Sequence, residues 1–153
     1  MEENKIINKK SFSRFFATQI LFSYFFDTKE NEDLDSLKAF LEEYYISNEF
    51  SEKNSEEYKE NINMNFLNKL IYGVVEHIDV IDSILSENLD TKYNLNIIDK
   101  LIKIILRLAM FEFKYTDTDR KIIINEYVDI AGEYFDKKAI SFVNAILDKL
   151  SKI

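Results

Sequence analysis

Residues 97–115 read IIDKLIKIILRLAMFEFKY, and apolar side chains recur there every three or four residues. That period brings side chains onto one face of an α-helix rather than onto the alternating faces of a strand. The face carries four apolar residues and one acid, Ile98, Leu101, Ile105, Leu108 and Glu112. A basic stripe runs beside it, made of Lys100, Lys103, Arg107 and Lys114. Because Asn96 can cap the first turn, the stretch predicts one long amphipathic helix.

The same period predicts five more helices along the rest of the chain. They span about residues 8–26, 32–45, 62–88, 120–135 and 137–150. Residues 47–60 are polar and strongly acidic, which is typical of a solvated loop. Gly73 lies inside the helix predicted at 62–88, where glycine lowers helix stability relative to alanine. A glycine at such a position favours a close crossing with another helix. Asp136 is placed to cap the last helix.

The composition favours an all-α fold. The 153 residues include no proline and two glycines, whereas sheets need many turns that those residues usually make. We therefore expect a compact bundle of about six to seven helices. The length fits a single domain, residues 1–153. The polar connection at 90–96 predicts two small helical subdomains within it, about 1–89 and 97–153.

Charge and cysteine content narrow the function classes. The chain has no cysteine, which excludes disulfides and thiolate metal sites. It has no run of about 18 apolar residues that would span a membrane, and the charged start Met1–Lys5 is unlike a signal peptide, so we expect a cytoplasmic protein. The net charge of −8 counts against non-specific binding to nucleic acid. Any RNA site must therefore be a local basic patch.

Residues that would support an enzyme are scarce. His77 is the single histidine, and no second histidine or cysteine accompanies it, so we interpret it as structural or as a surface residue. No glycine-rich phosphate loop and no nucleophile motif occurs in the sequence. We expect no catalytic residues, no metal and no cofactor.

The beginning of the chain supplies a basic patch, Lys5, Lys9, Lys10 and Arg14. The first helix then has two apolar faces. One face carries Ala17, Leu21 and Tyr24, and the other carries Phe12, Phe15, Phe22 and Phe26 with Gln19 in the missing place. Such a helix is either buried on both sides or buried on one side and offered to a partner on the other. We expect most of these phenylalanines to be buried, since together they would form a large apolar patch.

Several segments resemble the NusB family of transcription antitermination factors. The C-terminal third carries IIINE at 122–126, Val128, Ala131 and FVNAILDK at 142–149. Residues 106–112, LRLAMFE, are similar to another family motif. The family's first helix is matched by Arg14, Ala17, Gln19, Leu21 and Phe22. Its third helix is matched by Phe66, Leu70, Gly73 and Val74. The likeness runs in order through nearly the whole chain and breaks in the acidic loop.

This resemblance implies two packed helical subdomains and a transcription function. Family members bind the boxA sequence of nascent single-stranded RNA together with NusE, a small-subunit ribosomal protein. The assembly keeps the RNA polymerase elongation complex transcribing ribosomal RNA operons. The family's RNA contact region is a basic N-terminal arm leading into the first helix, where Lys10 and Arg14 fall here. Gln19 is either a reader of a base edge or a buried structural amide.

The chain departs from the family pattern at several positions. Ser11 and Phe12 replace two expected basic residues of the arm, and lysine lacks the rigid fork with which arginine binds phosphate. Ile102 stands where the family often has an acid near the NusE surface. With Phe22, it is our candidate for partner contact. Asp119 replaces a proline and can cap the fifth helix.

Two further groups have more than one interpretation. Lys137 and Lys138, at a helix N-terminus, either bind phosphate or form a plain solvated pair. Arg107, Glu112, Asn125 and Glu126 either form a structural network between two helices, which we favour, or contact RNA or a partner.

Three functions remain open. The first is an RNA-binding antitermination factor. The second is a helical interaction module that has lost RNA binding, which the acidic total suggests. The third is a stand-alone relative of the RNA-binding domain that precedes the catalytic domain of some RNA cytosine methyltransferases.

Overall fold

A computed structural model describes residues 2–26, 33–47, 62–89 and 98–153, with side chains described for 9–26, 33–44, 62–89 and 98–153. All regular structure in these ranges is α-helical, which confirms the predicted all-α class. The helices are α1 (Glu2–Phe26), α2 (Leu34–Ser47), α3 (Met64–Glu76), α4 (Ile78–Asn88), α5 (Lys100–Tyr115), α6 (Arg120–Tyr134) and α7 (Lys137–Leu150). The acidic loop and the connection at 90–96 lie almost entirely outside the described residues.

The single helix predicted over 62–88 is in fact two helices. The helical run is interrupted at His77, which has φ −106° and ψ 19°. Backbone hydrogen bonds continue through the break, from the His77 N–H to the Gly73 carbonyl and from the Ile81 N–H to the His77 carbonyl. The imidazole ring stacks on Tyr115, with ring centroids 4.2 Å apart. The apolar period of the sequence continues through this local distortion, so the period alone did not reveal it.

Aspartate side chains cap the three C-terminal helices. The Asp99 carboxylate accepts hydrogen bonds from the N–H groups of Leu101 and Ile102, so α5 begins three residues later than predicted. Asn96, the predicted cap, lies outside the described residues. The caps at Asp119 and Asp136 are confirmed, since these side chains accept from the N–H groups of Lys121 and Ala139. Such caps satisfy N–H groups that the helix itself leaves unbonded.

The chain forms two compact units, residues 1–72 and 73–153. This boundary falls within α3, whereas the sequence placed the subdivision at 90–96. In the first unit α1 packs against α2. In the second unit α5 is central, because it packs against α4, α6 and α7, and α6 also packs against α7. Eleven of the 16 residues of α5 are buried.

The buried face of α1 differs from the predicted phenylalanine stripe. Phe12, Phe15, Phe22 and Phe26 are each half-buried, so none of the four rings is fully exposed and none is part of the fully buried core. The fully buried apolar residues of α1 are Phe16, Ala17, Ile20 and Leu21. The helix therefore turns a different face inward, and the stripe lies along the edge of that face.

Gly73 allows α5 to approach closely in the second unit. A Cβ atom added to Gly73 would lie 2.3 Å from Cζ of Phe111, a residue that is 3% exposed. No side chain other than hydrogen fits there without displacing the ring. The close helix crossing predicted at this glycine is confirmed.

We expect Gly73→Ala to lower the free energy of unfolding by about 1–2 kcal/mol, because overpacking outweighs the gain in helix propensity. Gly132→Ala is the matched control. Its added Cβ would meet only Cδ1 of Ile140, at 3.9 Å, so we expect it to stabilise the protein by about 0.5–1 kcal/mol. Urea unfolding followed by circular dichroism measures both. A Gly73→Ala protein as stable as the Gly132→Ala protein would contradict the close packing.

Candidate functional site

A polar junction in the first unit joins α1 to the start of α3. The Ser13 hydroxyl donates to the Lys9 carbonyl at 2.6 Å and accepts from the Asn63 N–H at 2.9 Å. The Asn63 side chain in turn accepts from the Phe66 N–H at 3.0 Å, as a helix cap does. These bonds fix the first turn of α3 against the basic part of α1.

Two cations of α1 meet one aromatic ring at this junction. The Nζ atom of Lys10 lies 5.2 Å from the centroid of the Phe66 ring, and the Cζ atom of Arg14 lies 4.9 Å from it. Lys10 and Arg14 are four residues apart, so they lie on the same face of the helix. A cation within about 6 Å of a ring centroid is attracted by the negative ring face. We call Lys10, Arg14 and Phe66 the cation–aromatic cluster.

The predicted RNA-binding residues of the first unit differ in exposure. Lys9, Lys10 and Gln19 are half-buried. Arg14 is 1% exposed, so in this fold its guanidinium is directed to the protein rather than to solvent. Lys5 belongs to α1, but its side chain is outside the described residues.

Lys137 and Lys138 belong to the second unit. Both are exposed in the first turn of α7. The Asp136 carboxylate occupies the Ala139 N–H of that turn. A competing acid therefore stands at the helix N-terminus that we considered for phosphate.

The two predicted partner-contact residues also differ. Phe22 is half-buried, and its ring lies 5.8 Å from that of Phe26. Ile102 is 7% exposed. Its burial in α5 leaves little surface for a partner.

The second unit contains the expected polar network between helices, with different partners. Arg107 is 8% exposed and donates to both Asp82 oxygens, at 2.9 and 2.8 Å. Glu112 is fully buried and accepts from the Tyr127 hydroxyl at 2.6 Å. Asn125, which we had grouped with these residues, is exposed. The two bonded pairs link α5 to α4 and to α6.

Sequence reasoning missed Phe66, Asp82 and Tyr127 as polar or electrostatic partners. The sequence could have indicated Tyr127, because it shares a helix face with the apolar residues Ile123 and Ala131. A tyrosine on such a face is expected to be buried, and a buried tyrosine hydroxyl usually has a hydrogen-bond partner. Asp82 directly follows the buried Ile81, but an aspartate in a helix with other acids is usually solvated, so the sequence does not mark it as the partner of a buried cation. Nothing in the sequence distinguishes the ring of Phe66 from those of the other phenylalanines.

Burial and like charges act on Lys103. Desolvation, followed by the positive charge of Arg107, lowers the pKa of Lys103 below its ordinary value of 10.5, and Lys100 adds to the effect. Asp82 acts in the opposite direction. The basic stripe of α5 is thus not a uniform solvated surface.

No group of three or more His, Cys, Asp or Glu side chains in the described ranges could hold a metal ion. None of the helices described there is long and apolar enough to cross a membrane.

Comparison with known sequences matches the chain to one family. The NusB family profile covers residues 12–152. The transcription antitermination protein NusB of Ligilactobacillus salivarius is 35% identical over 140 residues, covering 92% of this chain and 98% of that protein. The protein of the same name from Thermodesulfovibrio yellowstonii is 37% identical over 132 residues, covering 86% and 85%.

Solved structures support the same fold. NusB of T. maritima superposes with a TM-score of 0.70 at 26% identity, covering 94% of this chain and 90% of that one. A chain in the crystal structure of a plectonemic RNA supercoil gives a TM-score of 0.73 at 24% identity, covering 95% and 94%. At that identity the second likeness shows the fold alone.

We expect Asp82→Asn to destabilise the protein by about 1–3 kcal/mol, because it leaves the buried Arg107 charge without its counter-charge. The Asp82 side chain is 31% exposed, and solvent reduces the cost accordingly. The control is Asp148→Asn, which breaks an ion pair to Lys152 whose side chains are 58% and 73% exposed. That change should stay within about 0.5 kcal/mol. Equal losses of unfolding free energy in the two variants would show that the buried pair of Arg107 and Asp82 matters no more than an exposed ion pair.

We expect Lys103→Met to stabilise the protein most at neutral pH. The folded-state pKa of Lys103 is lowered, so charge on Lys103 disfavours the folded chain at pH values below that pKa. Between the folded pKa and 10.5 the unfolded chain binds more protons, and the stability of the parent rises with pH. The advantage of the variant should therefore shrink as pH approaches 10.5.

Urea unfolding of parent and variant over this pH range measures the difference. Lys69→Met, at an exposed position of α3, is the control for the replacement of a lysine by methionine. A Lys103→Met difference that does not change with pH would refute the lowered pKa of Lys103.

Proposed function

The chain belongs to the NusB family, and from this we propose that it binds boxA-type single-stranded RNA together with NusE. In this role it joins the RNA polymerase elongation complex in the cytoplasm and supports transcription of ribosomal RNA operons. The observation that carries the proposal is the local concentration of cations at Lys9, Lys10 and Arg14, within a protein of net charge −8.

The half-buried lysines are the proposed phosphate contacts. Lys10 lies near Phe66 in the first turn of α3, where the positive end of the helix dipole adds to the local charge. Lys5, one turn before Lys9 in α1, is a further proposed phosphate contact. Because Arg14 is buried, we assign it the task of holding the cluster together rather than of contacting RNA. Lys137 and Lys138 are a second, exposed candidate site for phosphate.

Specificity requires more than phosphate contacts. Unpaired bases stack on aromatic side chains and form hydrogen bonds along their exposed edges. Gln19, half-buried on α1, has an amide that can both donate and accept, so we propose it as a reader of a base edge. Phe22 is half-buried on the same helix and is the proposed contact for NusE.

NusE is expected to contribute much of the affinity. A net charge of −8 repels phosphate at long range, and two lysines offset that repulsion only locally. A partner that adds contacts to the same RNA raises affinity without any new contact from this chain. The relatives are named antitermination proteins, and we propose no enzymatic step.

One alternative has specific support. The burial of Arg14 and the acidic total favour a helical interaction module that binds a protein partner but no RNA. Binding to a boxA-type RNA with and without NusE separates the two functions. RNA binding that is absent in both conditions, with NusE binding retained, would establish the alternative.

We expect Lys9→Ala with Lys10→Ala to weaken RNA binding sharply and to leave helicity and the melting temperature nearly unchanged. Each lost phosphate contact should flatten the dependence of log affinity on log salt by about 0.7, the single-strand value. Gln19→Ala should relax sequence preference with little change in that slope, because base contacts specify whereas phosphate contacts position.

Fluorescence anisotropy of a labelled boxA-type RNA, titrated with salt in the presence of NusE, gives both quantities. Lys69→Ala with Lys121→Ala removes two exposed lysines elsewhere and should leave the slope unchanged. If the Lys9 and Lys10 variant binds like the parent with the same slope, α1 is not the RNA site. The same titration of Lys137→Ala with Lys138→Ala would then test α7.

A further inference from the structure

Phe66 is 9% exposed, and the centroid of its ring lies within 5.2 Å of the charged groups of both Lys10 and Arg14 on α1. We propose that Phe66 is a positioning residue of the RNA site, whose ring holds the Lys10 ammonium group in place for an RNA phosphate. This inference rests on the proposed function, because it gives Phe66 a task only if Lys10 contacts RNA.

The ring of Phe66 attracts both cations at this junction. Lys10 and Arg14 carry like charges one helical turn apart, and like charges at this spacing repel each other. Both charged groups lie within 5.2 Å of the Phe66 ring centroid, where the quadrupole of the ring attracts cations. A leucine would fill similar space but would not offset this repulsion.

The ring is itself held in place by the polar junction. The Asn63 side chain accepts from the Phe66 N–H, and the Asn63 N–H donates to Ser13 on α1. Ser13 lies between Lys10 and Arg14 in sequence, so the helix that carries the cations also anchors the start of the helix that carries the ring. The position of Lys10 is therefore set by α3 as well as by its own backbone.

A fixed lysine binds phosphate at a lower entropic cost than a free one. Lysine has one of the largest losses of side-chain freedom on immobilisation, and fixing a group before binding increases affinity by reducing that loss. Lys10 is half-buried, which leaves part of its side chain accessible to RNA. Arg14, at 1% exposure, is the buried cation of the same cluster.

The first experiment measures RNA affinity in the presence of NusE for Phe66→Leu, Lys10→Ala and the double variant. We expect Phe66→Leu to weaken binding about three- to tenfold, the range of a partly desolvated cation–π contact. The double variant should bind no more weakly than Lys10→Ala alone, since Phe66 acts through Lys10. Phe66→Tyr, which keeps the ring, should restore most of the affinity.

A matched control separates positioning from general packing. Phe16→Leu removes the ring of another buried phenylalanine of the same unit, one that is 2% exposed. It should lower stability to a similar extent and leave RNA affinity unchanged. If Phe16→Leu weakens RNA binding as much as Phe66→Leu does, or if the Lys10 and Phe66 effects add, Phe66 has no positioning role.

The second experiment needs no RNA. In the NMR spectrum of the free protein, the ring current should shift the Lys10 εCH₂ protons upfield. Phe66→Leu should abolish the shift and Phe66→Tyr should retain it. An unshifted Lys10 resonance in the parent would overturn the inference and leave the proposed function standing. A shifted Lys10 whose replacement does not affect RNA binding would refute Lys10 as a phosphate contact and, with it, the task of Phe66.

Discussion

The burial of two opposite charges on one helix is the constraint around which residues 73–153 are organised. Arg107 and Glu112 both lie on the central helix α5, and neither is more than 8% exposed. A buried charge costs several kcal/mol unless hydrogen bonds satisfy it. Asp82 on α4 supplies a bidentate partner for the guanidinium, and the Tyr127 hydroxyl on α6 donates to the carboxylate. Any packing of α5 that moved these helices would expose the charges or leave them unbonded.

Such pairs contribute little to stability compared with an apolar core of similar volume. We interpret their effect as one on specificity. In this fold Arg107 is paired with Asp82 of α4, and Glu112 is bonded to Tyr127 of α6. The apolar residues of α5 would pack against several helix faces with similar energy. The two polar contacts, together with the fit of Phe111 against Gly73, distinguish one arrangement of the unit from its alternatives.

The elements that the sequence predicted well are those determined by local physics. Helix periods and the caps at Asp119 and Asp136 depend on residues within one or two turns. The break at His77 could not be predicted, because the apolar period continues through it. The stack of His77 on Tyr115, 38 positions away, is likewise a long-range contact that has no local sign in the sequence. Of the candidate RNA site, the basic character of the first helix was readable from composition. The cation–aromatic cluster was not, since a phenylalanine at position 66 and a lysine at position 10 show no sign of contact in the sequence.

Arg14 illustrates how the same residue type serves two tasks. The resemblance placed it among RNA contacts, where arginine binds phosphate through its fork. In this fold its guanidinium is buried on the face of Phe66, and arginine suits that place too, because a planar, weakly hydrated cation stacks on a ring at a low desolvation cost. Lysine is more strongly hydrated and keeps its charged end near water, which fits the half-buried Lys10. The two cations of α1 therefore differ in role. Arg14 is the buried charge that packs on Phe66, and Lys10 is the half-buried charge that remains partly accessible.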